Sequence, residues 1–335
     1  METLLLDSDA VAANAPVPAV VDAVEEAFAA DDRGDVQMPA KSYIDLPQYN
    51  GDFRSMPAYL DVAGSATDAA WDAAAVKWVN VHPDNPDSHD LPTVMGTLIY
   101  SDPATAVPLA IMDGTELTQR RTGAAAAVAT DHLAVEGASS LGIVGAGVQA
   151  YAQLESIAEV RPIETVVVSD VDDDAVAAFV DAFEDRFDVR GGSVAAAASC
   201  DVLSTVTPVR EPVVPRDALG EHTHVNAIGA DAKGKQEHEV ATVLDAKVVI
   251  DDYEQCTHSG EINVPWAAGA VGDADLHGEL GAIVTGRLEG RTAEDGLTLF
   301  DSTGLAIQDV AAAHVVYERA TETGVGESID LLGLG

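Results

Sequence analysis

Apolar residues along this chain repeat with two periods, and the changes between them lay out its elements. From about Val17 to Ala30 they recur at helical spacing, in a stretch (9–30) that opens on Asp9 as a cap and stops at the acidic run 31–35 with its Gly34. Residues 36–46, 52–61, 73–83, 93–100 and 107–112 read instead as strands, the last two parted by the turn Ser101-Asp102-Pro103. Strands clustered in this way predict a sheet-based domain of their own. An alanine-rich helix over 115–134 leads out of it. Beyond residue 140, short apolar runs at 141–144, 165–168, 200–207, 222–231, 246–252 and 297–302 alternate with helical stretches such as the acidic 173–187. That alternation predicts a doubly wound parallel sheet. A second alanine-rich helix, 302–323, is expected to return to the first domain.

The segment 141–170 gives the second domain its character. Leu141 to Val144 is an apolar run suited to a buried parallel strand, and it passes directly into Gly145-Ala146-Gly147-Val148-Gln149-Ala150. Gly145 permits the tight turn, Gly147 lets backbone approach a pyrophosphate, and the small Ala150 lets helix pack on strand. The N–H groups at the helix start then face the phosphates. The next strand ends at Asp170, roughly twenty residues on, where an acid that binds the ribose is expected. Asp170 would accept from a 2′-hydroxyl and repel a 2′-phosphate, and Asp172, Asp173 and Asp174 add to the repulsion, so the cofactor is read as NAD. The expected fold class is α/β: a Rossmann NAD-binding domain over 119–304, and a discontinuous α+β domain over 1–118 and 305–335.

Composition narrows the setting. Fifty-seven acidic residues against 17 basic ones give a formal charge of −40, yet hydrophobic residues make up 47% of the 335 positions. The acids are spread along a chain able to build cores, so this is a folded acidic protein and not a disordered acidic tail. Such a surface suits a salt-rich cytoplasm, where screening suppresses self-repulsion, and stability is expected to fall in dilute buffer. Nucleic acid is excluded as a partner, since phosphates call for a basic face. Cys200 and Cys256 form neither a disulfide framework nor a metal-binding spacing. The nine histidines, the close pair His222 and His224 included, do not make a ligand set, so no metal is expected. The opening residues METLLLDSDAVAANAP lack the basic start of a signal peptide, and no run is long and apolar enough to span a membrane, so a cytoplasmic location is expected.

Against this acid excess the five lysines stand out. Lys77 lies in Val76-Lys77-Trp78-Val79-Asn80-Val81, where strand alternation puts it on one face with Val79 and Val81. An ammonium on an apolar face needs an anion or a depressed pKa; the plainer reading is an edge-strand lysine turned to water. Lys41 and Arg54, on neighbouring strands, are placed to converge with it on an anionic ligand. Arg121, at the Arg-Thr-Gly step, is a further candidate for a carboxylate, while Arg120 suits a helix surface. Asp231 follows the apolar run 225–228 through Gly229-Ala230, at the carboxyl end of a sheet strand, where ligands bind in this architecture. It could shuttle a proton or activate water there, or simply cap a turn. Lys235 and Ser302, near the ends of later strands, are placed to touch the cofactor.

Together these residues resemble the ornithine cyclodeaminase/μ-crystallin family over nearly the whole chain. The likeness is carried by Arg54-Ser55-Met56-Pro57, by Lys77-Trp78-Val79-Asn80 with His82-Pro83, and by Arg121-Thr122-Gly123-Ala124. It continues through Gly145-Ala146-Gly147-Val148-Gln149, Asn226-Ala227-Ile228-Gly229-Ala230-Asp231, Gly234-Lys235, Gly260-Glu261-Ile262 and Phe300-Asp301-Ser302-Thr303-Gly304. The resemblance implies a homodimer formed through the sheet domain, a bound nicotinamide cofactor, and oxidation of an α-amine or reduction of an imine. It implies that Lys77 stands by the substrate carboxylate and forming imine, that Asp231 handles protons and water, and that Arg121 binds the carboxylate. Thr122, Lys235 and Ser302 become cofactor neighbours. Where the ornithine-cyclising members carry a glutamate that holds the distal amine, two residues before Met-Pro, this chain has Arg54, and Lys41 replaces an arginine of the carboxylate clamp. Both changes resemble the archaeal alanine dehydrogenases of the family. The expected reaction is therefore reversible NAD-dependent deamination of L-alanine to pyruvate, with a cyclodeaminase or cyclic-imine reductase as the alternative.

Overall fold

The structure is a computed structural model and describes residues 2–62 and 70–333. By internal contacts the chain divides into two units, Met1–Arg121 with Leu305–Gly335 (unit 1) and Thr122–Gly304 (unit 2).

Unit 1 begins with strand β1 (Thr3–Leu6), helix α1 (Ser8–Asn14) and helix α2 (Val17–Arg33). The cap of α1 is Asp7, whose carboxylate accepts from the Ala10 N–H, and not Asp9, which lies in the first turn. Gly34 ends α2 in the left-handed conformation, φ 80°. The expected strand 36–46 is two strands, β2 (Val36–Gln37) and β3 (Ser42–Leu46). Pro39 between them has no N–H to give to a ladder. Long strands β4 (Gly51–Asp61) and β5 (Asp72–Val81) follow, then helix α3 (Asn85–His89), β6 (Val94–Ser101) and β7 (Pro108–Asp113). Helix α4 (Gly114–Leu133) comes next and holds the division between units at Arg121, a little past the 118/119 boundary expected. β5 is hydrogen-bonded on both sides, with Lys77 in register with Met56 of β4 and Leu98 of β6, so Lys77 is not on an edge strand.

Unit 2 contains β8 (Ser140–Val144), α5 (Val148–Val160), β9 (Thr165–Ser169), α6 (Asp173–Phe183), β10 (Asp188–Gly191), α7 (Val194–Ala198) and β11 (Val202–Thr205). It goes on with β12 (His224–Ala227), α8 (Val240–Asp245), β13 (Lys247–Ile250), α9 (Tyr253–Ser259), α10 (Asn263–Ala267), β14 (Leu276–Glu279), α11 (Leu280–Val284) and β15 (Thr298–Asp301). Its eight strands are ordered β10-β9-β8-β11-β12-β15-β13-β14 and every pairing is parallel. The winding therefore reverses between β8 and β11, which is the switch point where such a sheet opens a crevice beyond its carboxyl ends. β10, β14 and helices α7 to α11 have no counterpart in the sequence reading. Each is four to seven residues long, too short to show a period.

Helix α12 (Ala306–Thr323) and strand β16 (Glu327–Ile329) return to unit 1. The helix starts four residues after the expected Ser302, because the N–H groups of Thr303 and Gly304 donate to the Asp251 carboxylate instead of opening a helix. α12 packs on α2, β4 and β5. The sheet of unit 1 runs β16-β1-β7-β6-β5-β4-β2, with β3 also paired to β4; among the described residues only β1 and β7 are parallel neighbours. No helix among the described residues is long and apolar enough to cross a membrane.

Candidate active site

In unit 1 the site is built on the buried face of β5. Alternation turns Ala73, Ala75, Lys77 and Val79 inward together, and Lys77 is 1% exposed. Its Nζ donates to Asp309 Oδ1 at 2.8 Å and to Thr118 Oγ1 at 3.0 Å. The Thr118 hydroxyl donates its own proton to the Gly114 carbonyl at 2.6 Å, so toward Lys77 it can only accept. Burial pushes the lysine pKa down to about 7; Asp309 opposes the fall, while the charges of Arg121 and Lys41 add to it. A neutral amine has two N–H bonds, and here both have acceptors. Its lone pair is then the one feature of the nitrogen left for a ligand.

Arg121, from α4, is buried on the same anion: its Nε donates to Asp309 Oδ1 at 3.0 Å and its Nη1 to Gln308 Oε1 at 3.2 Å. Lys77 and Arg121 are thus brought together, and Lys41, just before β3, is near enough for its charge to act on Lys77. Arg120, by contrast, pairs with Glu116 one turn back in α4. Arg54 lies on the inward face of β4, 8% exposed, with Nε and Nη2 on the two oxygens of Asp52 at 2.9 and 3.2 Å and its guanidinium 5.5 Å from the Tyr43 ring centre. Asp52 offsets much of the charge of Arg54, the residue that stands where the ornithine-cyclising members carry a glutamate.

In unit 2 the fingerprint forms at the switch point. Gly145 has φ +102°, a conformation that a side chain rarely adopts. Gly147 needs no such freedom (φ −73°), and a Cβ placed on it would meet nothing within 4 Å. Neither backbone nor packing demands that glycine, and its missing side chain leaves open space at the start of α5. Helix α5 starts beyond it without a side-chain cap, Val148 is 63% exposed, and the buried Gln149 Oε1 has no hydrogen-bond partner among the described residues. Uncapped N–H groups, open space over glycine and an unsatisfied amide oxygen fit a dinucleotide. Asp170 follows β9; its Oδ2 accepts from the Ala146 N–H at 2.6 Å and its Oδ1 from the Asp172 N–H, which leaves acceptor capacity on both oxygens. Thr122 is buried, its carbonyl accepting from Gln153 of α5 at 3.3 Å.

Asp231 follows β12 and is half-buried, with Lys235 Nζ 2.6 Å from its Oδ1. Ser302, just after β15, is buried and donates to Asp251 Oδ2 at 3.0 Å, so its hydroxyl is turned into the protein. His224 is buried between Thr298 and Asn226, while His222 is exposed and bonded to the Asp295 carbonyl. Among the described residues no group of three His, Cys, Asp or Glu could hold a metal ion.

The sequence reading missed Asp309, Gln308 and Thr118. One signal was available for Asp309: it is an acid among Ala306, Ile307, Val310 and Ala313, on the apolar side of an alanine-rich helix. It reads more readily as a first-turn acid answering the helix dipole.

The ornithine cyclodeaminase/mu-crystallin family model matches residues 1–324. The alanine dehydrogenase of Archaeoglobus fulgidus is 46% identical over 330 residues, 98% of each chain. The solved structure of an archaeal alanine dehydrogenase dimer with bound NAD superposes with a TM-score of 0.92 at 44% identity, covering 99% of this chain and 100% of that one. The Delta(1)-pyrroline-2-carboxylate reductase of Thermococcus litoralis, solved with NADH and L-proline, also superposes with a TM-score of 0.92. Its identity is 35%, and the match covers 98% of this chain and 100% of that one.

Proposed function

The chain belongs to the ornithine cyclodeaminase/mu-crystallin family, and from that premise we propose that it is an NAD-dependent dehydrogenase that deaminates L-alanine to pyruvate and ammonia, reversibly. The observation that carries this reading is the buried amine of Lys77, held by two obligate acceptors beside Arg121. Binding an amino acid at such a point gives its carboxylate a cation and its ammonium a base.

Bound NAD supplies the acceptor for the hydride from the α-carbon. Gly145, Gly147, Val148, Gln149 and Asp170 hold the nucleotide, with Thr122, Lys235 and Ser302 as the remaining candidates for cofactor contact. Arg121, Lys41 and Arg54 bind the carboxylate. Lys77 takes the proton from the substrate ammonium, which frees the nitrogen lone pair to form the imine as the hydride leaves. Asp231 then accepts a proton from the water that adds to the imine carbon, and returns it to the departing ammonia. Alanine, NAD and water thus give pyruvate, ammonium, NADH and a proton. The pair Asp52–Arg54 is close to neutral as a unit, so exclusion of a longer side chain rests on the volume of the guanidinium and its aromatic neighbour more than on charge.

A homodimer formed through the sheet of unit 1 accords with this reading. Trp78 and Ile99, on strand positions opposite to the inward face, are 43% and 39% exposed, an arrangement suited to a partner surface.

The test is absorbance at the NADH band in concentrated salt, with NAD and L-alanine, L-ornithine or L-proline in separate cuvettes. NADH with alanine alone is the expected result. NADH with proline alone would move the chain to the cyclic-imine reductases, and ammonia and proline from ornithine without net NADH would make it a cyclodeaminase.

A further inference from the structure

Two buried basic side chains share a single carboxylate oxygen in unit 1. Asp309 Oδ1 accepts from Lys77 Nζ at 2.8 Å and from Arg121 Nε at 3.0 Å, while Oδ2 of the same group is buried without a hydrogen-bond partner among the described residues. One anion therefore sets the direction of both side chains that face the amino acid. We propose that Asp309 is the positioning residue of the oxidation step: it holds the Lys77 amine so that its lone pair points away from Asp309 and Thr118, and it fixes Arg121 alongside.

This rests on the reading of Lys77 as the base. Removing Asp309 would leave Lys77 free to rotate about its last torsions, because Thr118 alone is one acceptor for two N–H bonds. It would also remove the anion that favours the ammonium form. The other charged groups that act on Lys77 are Arg121 from α4 and Lys41 ahead of β3; the paired strands present the apolar Met56 of β4 and Leu98 of β6 in register with it. The first two disfavour the ammonium, and Asp309 is the group that opposes them. The sign follows: without the Asp309 charge, Lys77 stays neutral to lower pH, and the acid limb of a reaction that needs the neutral amine moves down.

The experiment compares wild type with Asp309→Asn and Asp309→Glu in three measurements: kcat/KM for L-alanine from pH 5 to 9, NADH binding, and melting temperature. For Asp309→Asn the acid limb should move down by about one pH unit, a tenfold change in the proton concentration at half-activity, and plateau kcat should fall about tenfold or more. NADH affinity should stay within twofold of wild type, since the nucleotide-binding residues lie in unit 2. Asp309→Glu should restore the limb, because the charge returns, while kcat stays low because the oxygen is displaced. An unmoved limb in Asp309→Asn, with only the melting temperature lowered, would reduce Asp309 to a structural role and overturn the proposal. If Asp309→Asn does not fold, a Glu variant with wild-type kcat would overturn it equally. Wild-type turnover in Lys77→Ala would instead sink the reading of Lys77 itself, and is distinguished by that control.

Discussion

In unit 1, two buried basic side chains lean on one oxygen of Asp309, and the second oxygen has no hydrogen-bond partner among the described residues. In unit 2, four buried carboxylates are each gripped by several donors. Glu237 accepts from the N–H groups of Thr207 and Gly229 and from the hydroxyls of Thr205 and Thr207. Glu261 accepts from the N–H groups of Glu237 and His238, and Asp301 from those of Glu261 and Ile262. Asp251 takes the N–H groups of Thr303 and Gly304 and the hydroxyl of Ser302. Burial drives several of these groups toward the protonated form, Asp301 up to about 8 and Glu261 well above the carboxylate range, although backbone N–H donors pull the other way. The donors on Thr205, Thr207, Gly229, Ser302, Thr303 and Gly304 lie at or just beyond the carboxyl ends of β11, β12 and β15, and those on Glu237, His238, Glu261 and Ile262 lie in the loops further on, so the acids serve as braces for loops. A buried ionisable group with its bonding capacity filled points to scaffold, and one with capacity left over points to a ligand.

The two kinds of buried charge should respond differently to deletion. Lys77→Ala should lower kcat/KM for alanine about a thousandfold, near 4 kcal/mol of transition-state stabilisation, as expected for loss of a general base. Its melting temperature should move little, because Asp309 keeps Arg121 as a partner. Glu237→Ala should do the reverse. It takes the shared acceptor from the Thr207 N–H and from the Thr205 and Thr207 hydroxyls, and should cost about 3 kcal/mol in unfolding free energy, read by denaturant titration. Equal losses of stability in the two variants would erase the distinction. The smallest effect is the most selective: Gly147→Ala should leave the melting temperature unchanged, since the new methyl meets nothing within 4 Å, yet weaken NADH binding about tenfold in a fluorescence titration. A lower melting temperature with intact binding would mean that the glycine serves packing.

What could be read from the sequence was local. The strand, glycine turn, helix and acid of 141–170 lie within thirty residues, and each has its own chemical signature. The inward face of Lys77 followed from alternation alone. What escaped was tertiary: Asp309 lies 232 residues from Lys77, and nothing in its neighbourhood announces a lysine. The braces were hidden for a similar reason. Glu261 and Asp301 were visible as members of motifs, but the N–H groups that each would bind come from loops whose shape no period records. The break between β2 and β3 is a milder case, where a proline cut a run that hydrophobicity alone made continuous.

The division of the chain also bears on the order in which it matures. Unit 2 is one uninterrupted stretch, so it can fold as soon as residue 304 has left the ribosome. Unit 1 cannot close until α12 arrives, although its sheet strands were made first. During synthesis Lys77 and Arg121 wait for the carboxylate that they share, and a nascent chain stopped before residue 309 would hold a folded unit 2 and a unit 1 in which both side chains lack that acid. The step that joins Lys77 and Arg121 to Asp309 is therefore the last one of folding.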